Sequence, residues 1–154
     1  MKTIHLVLLL SFTLLSGTLH AGPGAGQPFP KLTLKDQFEN PHSITKTDKL
    51  ILISFDREVS DVVNEFLATQ PKIFLDRHHA RYISDISAMP GIVTKLFAIP
   101  KMKDYNYLLM LATEAEFKAQ FDHQQGKLTV YHLEDGVIES IEFVEASKVA
   151  GLFQ

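Results

Sequence analysis

The residues best suited to chemistry fall in three short runs. The first is Asp56-Arg57-Glu58-Val59-Ser60-Asp61, with three carboxylates, a guanidinium and a hydroxyl within six positions. Carboxylates flanking a cleft can do acid–base work. The plainer reading is a helix start whose acids complement the dipole while Arg57 pairs locally. Ser60 would need a histidine and a carboxylate to act as a nucleophile, and no Gly-x-Ser-x-Gly elbow surrounds it. The second run is His78-His79, with Asp76 before it and Asp85 after it. Imidazole and carboxylate suit zinc or copper, but adjacent side chains diverge and a distant ligand is required. His42, His123 and His132 are the available ligands, and a solvated loop is the simpler account of the pair. The third is Ser84-Asp85-Ile86-Ser87-Ala88-Met89-Pro90-Gly91, at a strand end entering a helix, where open α/β sheets place ligands. Free N–H groups there could hold an anion, although Pro90 removes one donor, and a well-capped helix start explains the run equally.

One residue type is missing. The chain has no cysteine, so it offers no thiol for redox chemistry and no disulfide. Nothing resembles a Rossmann or P-loop glycine pattern, which leaves nucleotide binding without support. The net charge is −3 with no concentrated basic block, which argues against a nucleic-acid partner. No cofactor is expected.

The elements that must position these runs follow from hydrophobic period. Residues 50–55 (LILISF) are apolar on both faces and predict a central strand. Val59, Val62, Val63, Phe66 and Leu67 form one face of a helix that Asp56 or Ser60 could cap, with Pro71 just past its end. Residues 81–86 predict a second strand. Ser87 is placed to cap a second helix, on which Met89, Ile92, Val93, Leu96 and Phe97 form the buried stripe and which Pro100 stops. Residues 105–111 predict a third strand and 114–121 a short helix. Residues 128–133 and 137–143, joined by Glu134-Asp135-Gly136, predict a hairpin before a terminal helix carrying Val149, Leu152 and Phe153. Between them, 95–107 mixes Phe97, Met102, Tyr105 and Tyr107 with Lys95, Lys101 and Lys103, a mixture suited to protein contact or to a core edge beside solvated lysines.

The first 21 residues read as a secretory signal peptide, with Lys2 ahead of the apolar run 6–15 and a cleavage point after Ala21. Residues 22–30 (GPGAGQPFP) read as a flexible leader, and 31–154 as one domain. The location expected is periplasmic or secreted, with membrane contact only through the signal peptide before cleavage.

The element order, with the local wording of 26–36 (GQPFPKLTLKD), 50–55, 105–121 and 129–138 (TVYHLEDGVI), resembles the thioredoxin-like superfamily and its peroxiredoxin-like branch. The resemblance implies an α/β fold: a thioredoxin-like mixed β-sheet flanked by helices on both faces, closed by a C-terminal β-hairpin and helix. It also implies a nucleophilic thiol where the first core strand meets its helix. This chain has Asp56 to Asp61 there instead. It has neither the superfamily's cis-proline nor the branch's arginine in 123–127. A serine cannot take over the thiol's redox cycle.

The expectation is therefore a thioredoxin-fold protein without thiol redox activity. It would bind a protein or small-molecule partner in the cell envelope through the old active-site face: Asp56, Arg57, Glu58, Ser60, Asp61, Asp85, Ser87, Met89 and Pro90. The alternative is a non-thiol enzyme or metal-binding protein in which His78, His79, Asp56 and Asp85 converge. A third reading, a passive stabiliser of a larger envelope complex, would show as an exposed apolar patch or a free sheet edge.

Overall fold

The structure, a computed structural model, describes residues 22–154. The signal peptide expected at 1–21 lies outside them.

The described residues build one mixed sheet in the order β2-β1-β5-β4-β3-β6-β7. Its centre is β3 (Leu50–Ser54), buried at every position. On one side β3 runs parallel to β4 (Ala80–Asp85), which runs parallel to β5 (Met110–Ala112). On the other side it pairs antiparallel with β6 (Lys127–Glu134), which turns into β7 (Val137–Glu145). Asp135 and Gly136 make that turn at φ of 50° and 81°, as a tight hairpin requires. β1 (Thr33–Asp36) and β2 (Pro41–Ser43) finish the far edge antiparallel. This is the thioredoxin-like α/β fold that the element order implied.

Alternation along β3 divides the core. Leu50 and Leu52 face α1 (Arg57–Ala68), which carries Val59, Val63 and Leu67. The same layer takes α2 (Phe74–Arg77) and the 3₁₀ helix Ala146–Phe153, which lies against α1. Ile51 and Ile53 face an aromatic layer of Phe29, Phe55, Phe117, Phe121 and Tyr131. That layer is covered by the 113–122 connection, whose helical part is only the 3₁₀ turn Lys118–Gln120.

Four expectations meet a different outcome. Residues 22–30, read as a loose leader, are tied to β7: Gly26 N–H donates to the Ile138 carbonyl at 2.8 Å, Phe29 N–H to that of Gly136 at 2.9 Å, and the Phe29 ring packs on Phe121 and Tyr131. The strand expected over 105–111 shrinks to β5. The Gln37 side chain takes the place of a neighbouring strand, receiving Leu109 N–H at 3.0 Å and donating to the Tyr107 carbonyl at 2.8 Å. Pro100 does not stop its helix. The helical segment runs as α3 (Gly91–Val93), a π-helical turn (Thr94–Ala98) and α4 (Ile99–Lys103), with Pro100 in the first turn of α4. Ile99 N–H bonds back to Thr94, and this wide turn spares the missing N–H of Pro100 from interrupting a regular ladder. Ser87 does not cap the segment either: Pro90 is at the cap position, and Ser87 N–H donates to Asp85 Oδ1 at 2.9 Å.

The β1–β2 turn is held by one buried carboxylate. Asp36 accepts from Phe38 N–H (2.7 Å), Asn40 N–H (2.9 Å), Asn40 Nδ2 (3.3 Å) and the His42 ring (2.8 Å). Burial alone would push its carboxyl up; His42 and the Asn40 and Phe38 donors outweigh that and hold it below the ordinary value. A depressed folded carboxyl contributes stability above the ordinary aspartate range, about pH 4, and loses it as pH falls through the folded value. Asp36→Ala should therefore lower unfolding free energy by about 2 kcal/mol at neutral pH, with the gap to the parent narrowing in acid. Urea titrations at neutral and acid pH check this; a gap independent of pH would contradict it.

Candidate functional site

The two parallel strands end alike. Ile53 pairs with Ile83 and Ser54 with Ser84, in register, so two serines stand side by side at the carboxyl ends of β3 and β4. Both serine side chains point to the α1 layer, where Ser60 arrives from the first turns of that helix. Ser54 Oγ lies 2.7 Å from Ser60 Oγ and 3.0 Å from the Tyr82 hydroxyl, and Ser60 Oγ lies 3.2 Å from Ser84 Oγ. All four residues are buried. Burial drives the Tyr82 phenol up to about 12, against the pull of the neighbouring Ser54, Ser60 and Ser84 hydroxyls, so it remains protonated at neutral pH.

Ser60 and Ser84 form the base of a cavity of about 500 Å³. One wall is α1, through Arg57, Asp61 and Asn64; the other is 86–105, through Ile86, Met89, Val93, Phe97 and Met102. Tyr105 closes one side, stacked on Tyr107 at 5.2 Å, and the Tyr107 hydroxyl donates to Asn64 Oδ1 at 2.8 Å. Burial raises both phenols, with the Asp61 charge adding to the rise at Tyr105. The volume lies within the range of small-molecule pockets, and the lining sets apolar side chains beside Arg57, Asp61, Asp85 and Lys101.

The structure brings together Arg57, Ser60, Asp61, Asp85, Met89 and Pro90 of the expected surface. It leaves the other three outside the lining. Asp56 stands at the N-cap position of α1 but makes no cap bond; its carboxylate receives Gly126 N–H at 2.7 Å and faces Lys118 at 3.9 Å. Glu58 is exposed, and Ser87 lies in the turn braced by Asp85.

The convergence of His78, His79, Asp56 and Asp85 is not found. His79 precedes β4 and Asp85 ends it, a span of roughly 20 Å at strand rise. The His78 ring packs between Phe74 and Phe153, its Nδ1 2.8 Å from the Phe74 carbonyl oxygen. Asp76 instead pairs with Arg81 at 2.8 Å. His42 is held by Asp36, His123 packs on Phe55, and His132 Nε2 lies 2.9 Å from Glu142. Among the described residues, no three His, Asp or Glu side chains gather as a metal site would need.

The segment over the cavity also departs from expectation. The supposed buried stripe is largely outside: Ile92 is 70 %, Leu96 61 % and Phe97 68 % exposed. No residue of α3 or the π turn is buried; Ala98, Ile99 and Met102 hold the segment to the core. The same period that reads as a core face here forms an apolar ridge beside the cavity mouth.

Sequence reasoning missed Ser54, Tyr82 and Asn64, and it noted Ser84 only as part of a helix start. The signal was present in the Ile-Ser pair that recurs at 53–54 and 83–84, near the end of each strand.

No family model matches the sequence, and no curated protein matches it significantly. Solved structures do match the fold. The chain is similar to peroxidoxin BcpB from Mycobacterium tuberculosis, with a TM-score of 0.55 and 15% identity, covering 84% of this chain and 92% of that one. It is similar to the thioredoxin domain of a thiol-disulfide oxidoreductase from Bacteroides vulgatus, with a TM-score of 0.54 and 14% identity over 86% and 99% of the two chains. It is similar also to a thio-disulfide isomerase from Thermus thermophilus, with a TM-score of 0.52 and 19% identity over 83% and 92%. The resemblance to peroxiredoxin and thioredoxin-like proteins thus holds at the level of fold, in a chain without cysteine.

The exposed ridge gives a direct check. Ile92→Ser and Leu96→Ser should each leave unfolding free energy within about 0.5 kcal/mol of the parent, as surface changes do. A loss of about 2 kcal/mol or more in denaturant titration would place these side chains in the core.

Proposed function

We propose that this protein is a non-redox thioredoxin-fold binding module, exported to the periplasm or beyond, that holds its ligand in the cavity between α1 and 86–105. The observation that carries the reading is the cavity itself: about 500 Å³ at the carboxyl ends of the parallel strands, floored by Ser60 and Ser84. Open α/β sheets bind ligands at this end. Among the described residues Ser60 has hydroxyl neighbours and no histidine or carboxylate bonded to it, which supports holding a ligand over attacking one. The chain's lack of thiols supports a role outside disulfide exchange and peroxide reduction. Export rests on the composition of the first 21 residues.

Nile red, a neutral apolar dye, is the first probe. It should bind one-to-one with saturable fluorescence. Ala88→Trp, which adds bulk at an exposed position on the lining, should weaken binding by about tenfold or more without lowering the melting temperature. Unchanged affinity in that variant, or no saturable binding by the parent, would overturn the cavity as the site.

A further inference from the structure

The floor of the cavity is a chain of hydroxyls whose protons can be counted. Tyr82, Ser54, Ser60 and Ser84 carry four protons and are joined by three hydrogen bonds in that order. One proton is left to point outside the chain. Burial decides which. The Tyr82 side chain is fully enclosed, and Ser54 is its hydrogen-bond partner among the described residues. A phenol turned away from Ser54 would strand a buried donor, the arrangement proteins avoid. Tyr82 therefore donates to Ser54, and Ser54, equally enclosed, donates to Ser60. The Ser60–Ser84 bond takes one proton of that pair, so the spare O–H belongs to Ser60 or Ser84, both of which line the cavity. Hydroxyls that donate to one another polarise one another, so this spare O–H is a better donor than an isolated serine.

We propose that the ligand is an uncharged apolar molecule presenting a carbonyl oxygen, as an ester, ketone or amide does, to the spare hydroxyl of the Ser60–Ser84 pair. This rests on the cavity reading above and names its ligand class. Three features beyond the donor support it. The cavity's charged residues cancel, Arg57 and Lys101 against Asp61 and Asp85. The base offers hydroxyls and no countercharge, so an ion brought there would lose its hydration without a partner. The facing wall, with Ile86, Met89, Val93, Phe97 and Met102, takes an apolar body.

The test uses the full chain and probes of one length: 2-octanone, octylammonium and octanoate, each competing with Nile red. The ketone should displace the dye at least about tenfold more effectively than either ion. Ser60→Ala and Ser84→Ala together should erase that preference while dye binding persists, and Tyr82→Phe, which frees Ser54 to accept from Ser60, should reduce it. If either variant fails to fold, infrared spectroscopy of the parent decides alone: the carbonyl stretch of bound 2-octanone should lie at lower frequency than in hexane. Equal displacement by all three probes, a preference surviving the paired serine substitution, or an unshifted carbonyl band would overturn the ligand class while leaving the cavity in place. An unshifted band would mean that the spare hydroxyl turns back into the cluster. Absence of dye binding would instead remove the cavity reading on which this one rests.

Discussion

The hydrogen bond between the Ser54 and Ser60 hydroxyls, 2.7 Å long and wholly buried, is the contact on which the site's geometry depends. It joins the last residue of β3 to the first turns of α1. Ser84 enters the same contact because β4 runs in register with β3 and sets a serine beside Ser54. Three polar groups are thereby satisfied in an otherwise apolar layer, where leaving one unpaired costs about 1–3 kcal/mol. That cost pins α1, β3 and β4 together where a ligand would meet them. The charged side chains around it hold less tightly: Arg57 and Asp61 are 3.7 Å apart and mostly exposed, a pairing worth little in water.

The cavity exists because the segment 91–103 does not collapse onto this base. Met102 anchors its far end in the core, and the Tyr105–Tyr107 stack stands beside it. Pro90 and Pro100 bracket the segment, and the π turn between them shifts the helical phase by one residue. The inner side then presents Val93, Phe97 and Ala98 to the cavity, while Ile92 and Leu96 face outward. An apolar wall that reaches the surface gives a ligand both an inner lining and a way in.

Much of the scaffold was legible in the sequence. An apolar run such as 50–55 has no comfortable place except a central strand, and the α1 stripe and the Asp135-Gly136 turn each have one good conformation. The candidate site was half legible: Arg57, Ser60, Asp61, Asp85, Met89 and Pro90 do share one cavity, because a strand-to-helix junction fixes its neighbours. What escaped depends on contacts distant in sequence. Asp56 leaves the site because Gly126, seventy positions away, offers an N–H. Gln37 shortens β5 from a loop far upstream. The stripe at 92–97 has a period that no sequence pattern can assign to core or surface, and the structure leaves Ile92, Leu96 and Phe97 largely exposed. Ser54 and Ser84 were hidden because a serine ending a strand is ordinary until the register sets two beside each other.

The central claim is the one proposed above, that the hydroxyl-floored cavity at the carboxyl ends of β3 and β4 takes an uncharged ligand. Backbone amide shifts in a two-dimensional NMR titration with 2-octanone test it most directly. The account predicts saturable changes concentrated at Phe55, Ser60, Ser84 to Met89 and Phe97 to Met102, with β7 and the β1–β2 turn unmoved. Shifts confined to the outer ridge at Ile92 and Leu96, or spread evenly over the chain, would contradict it.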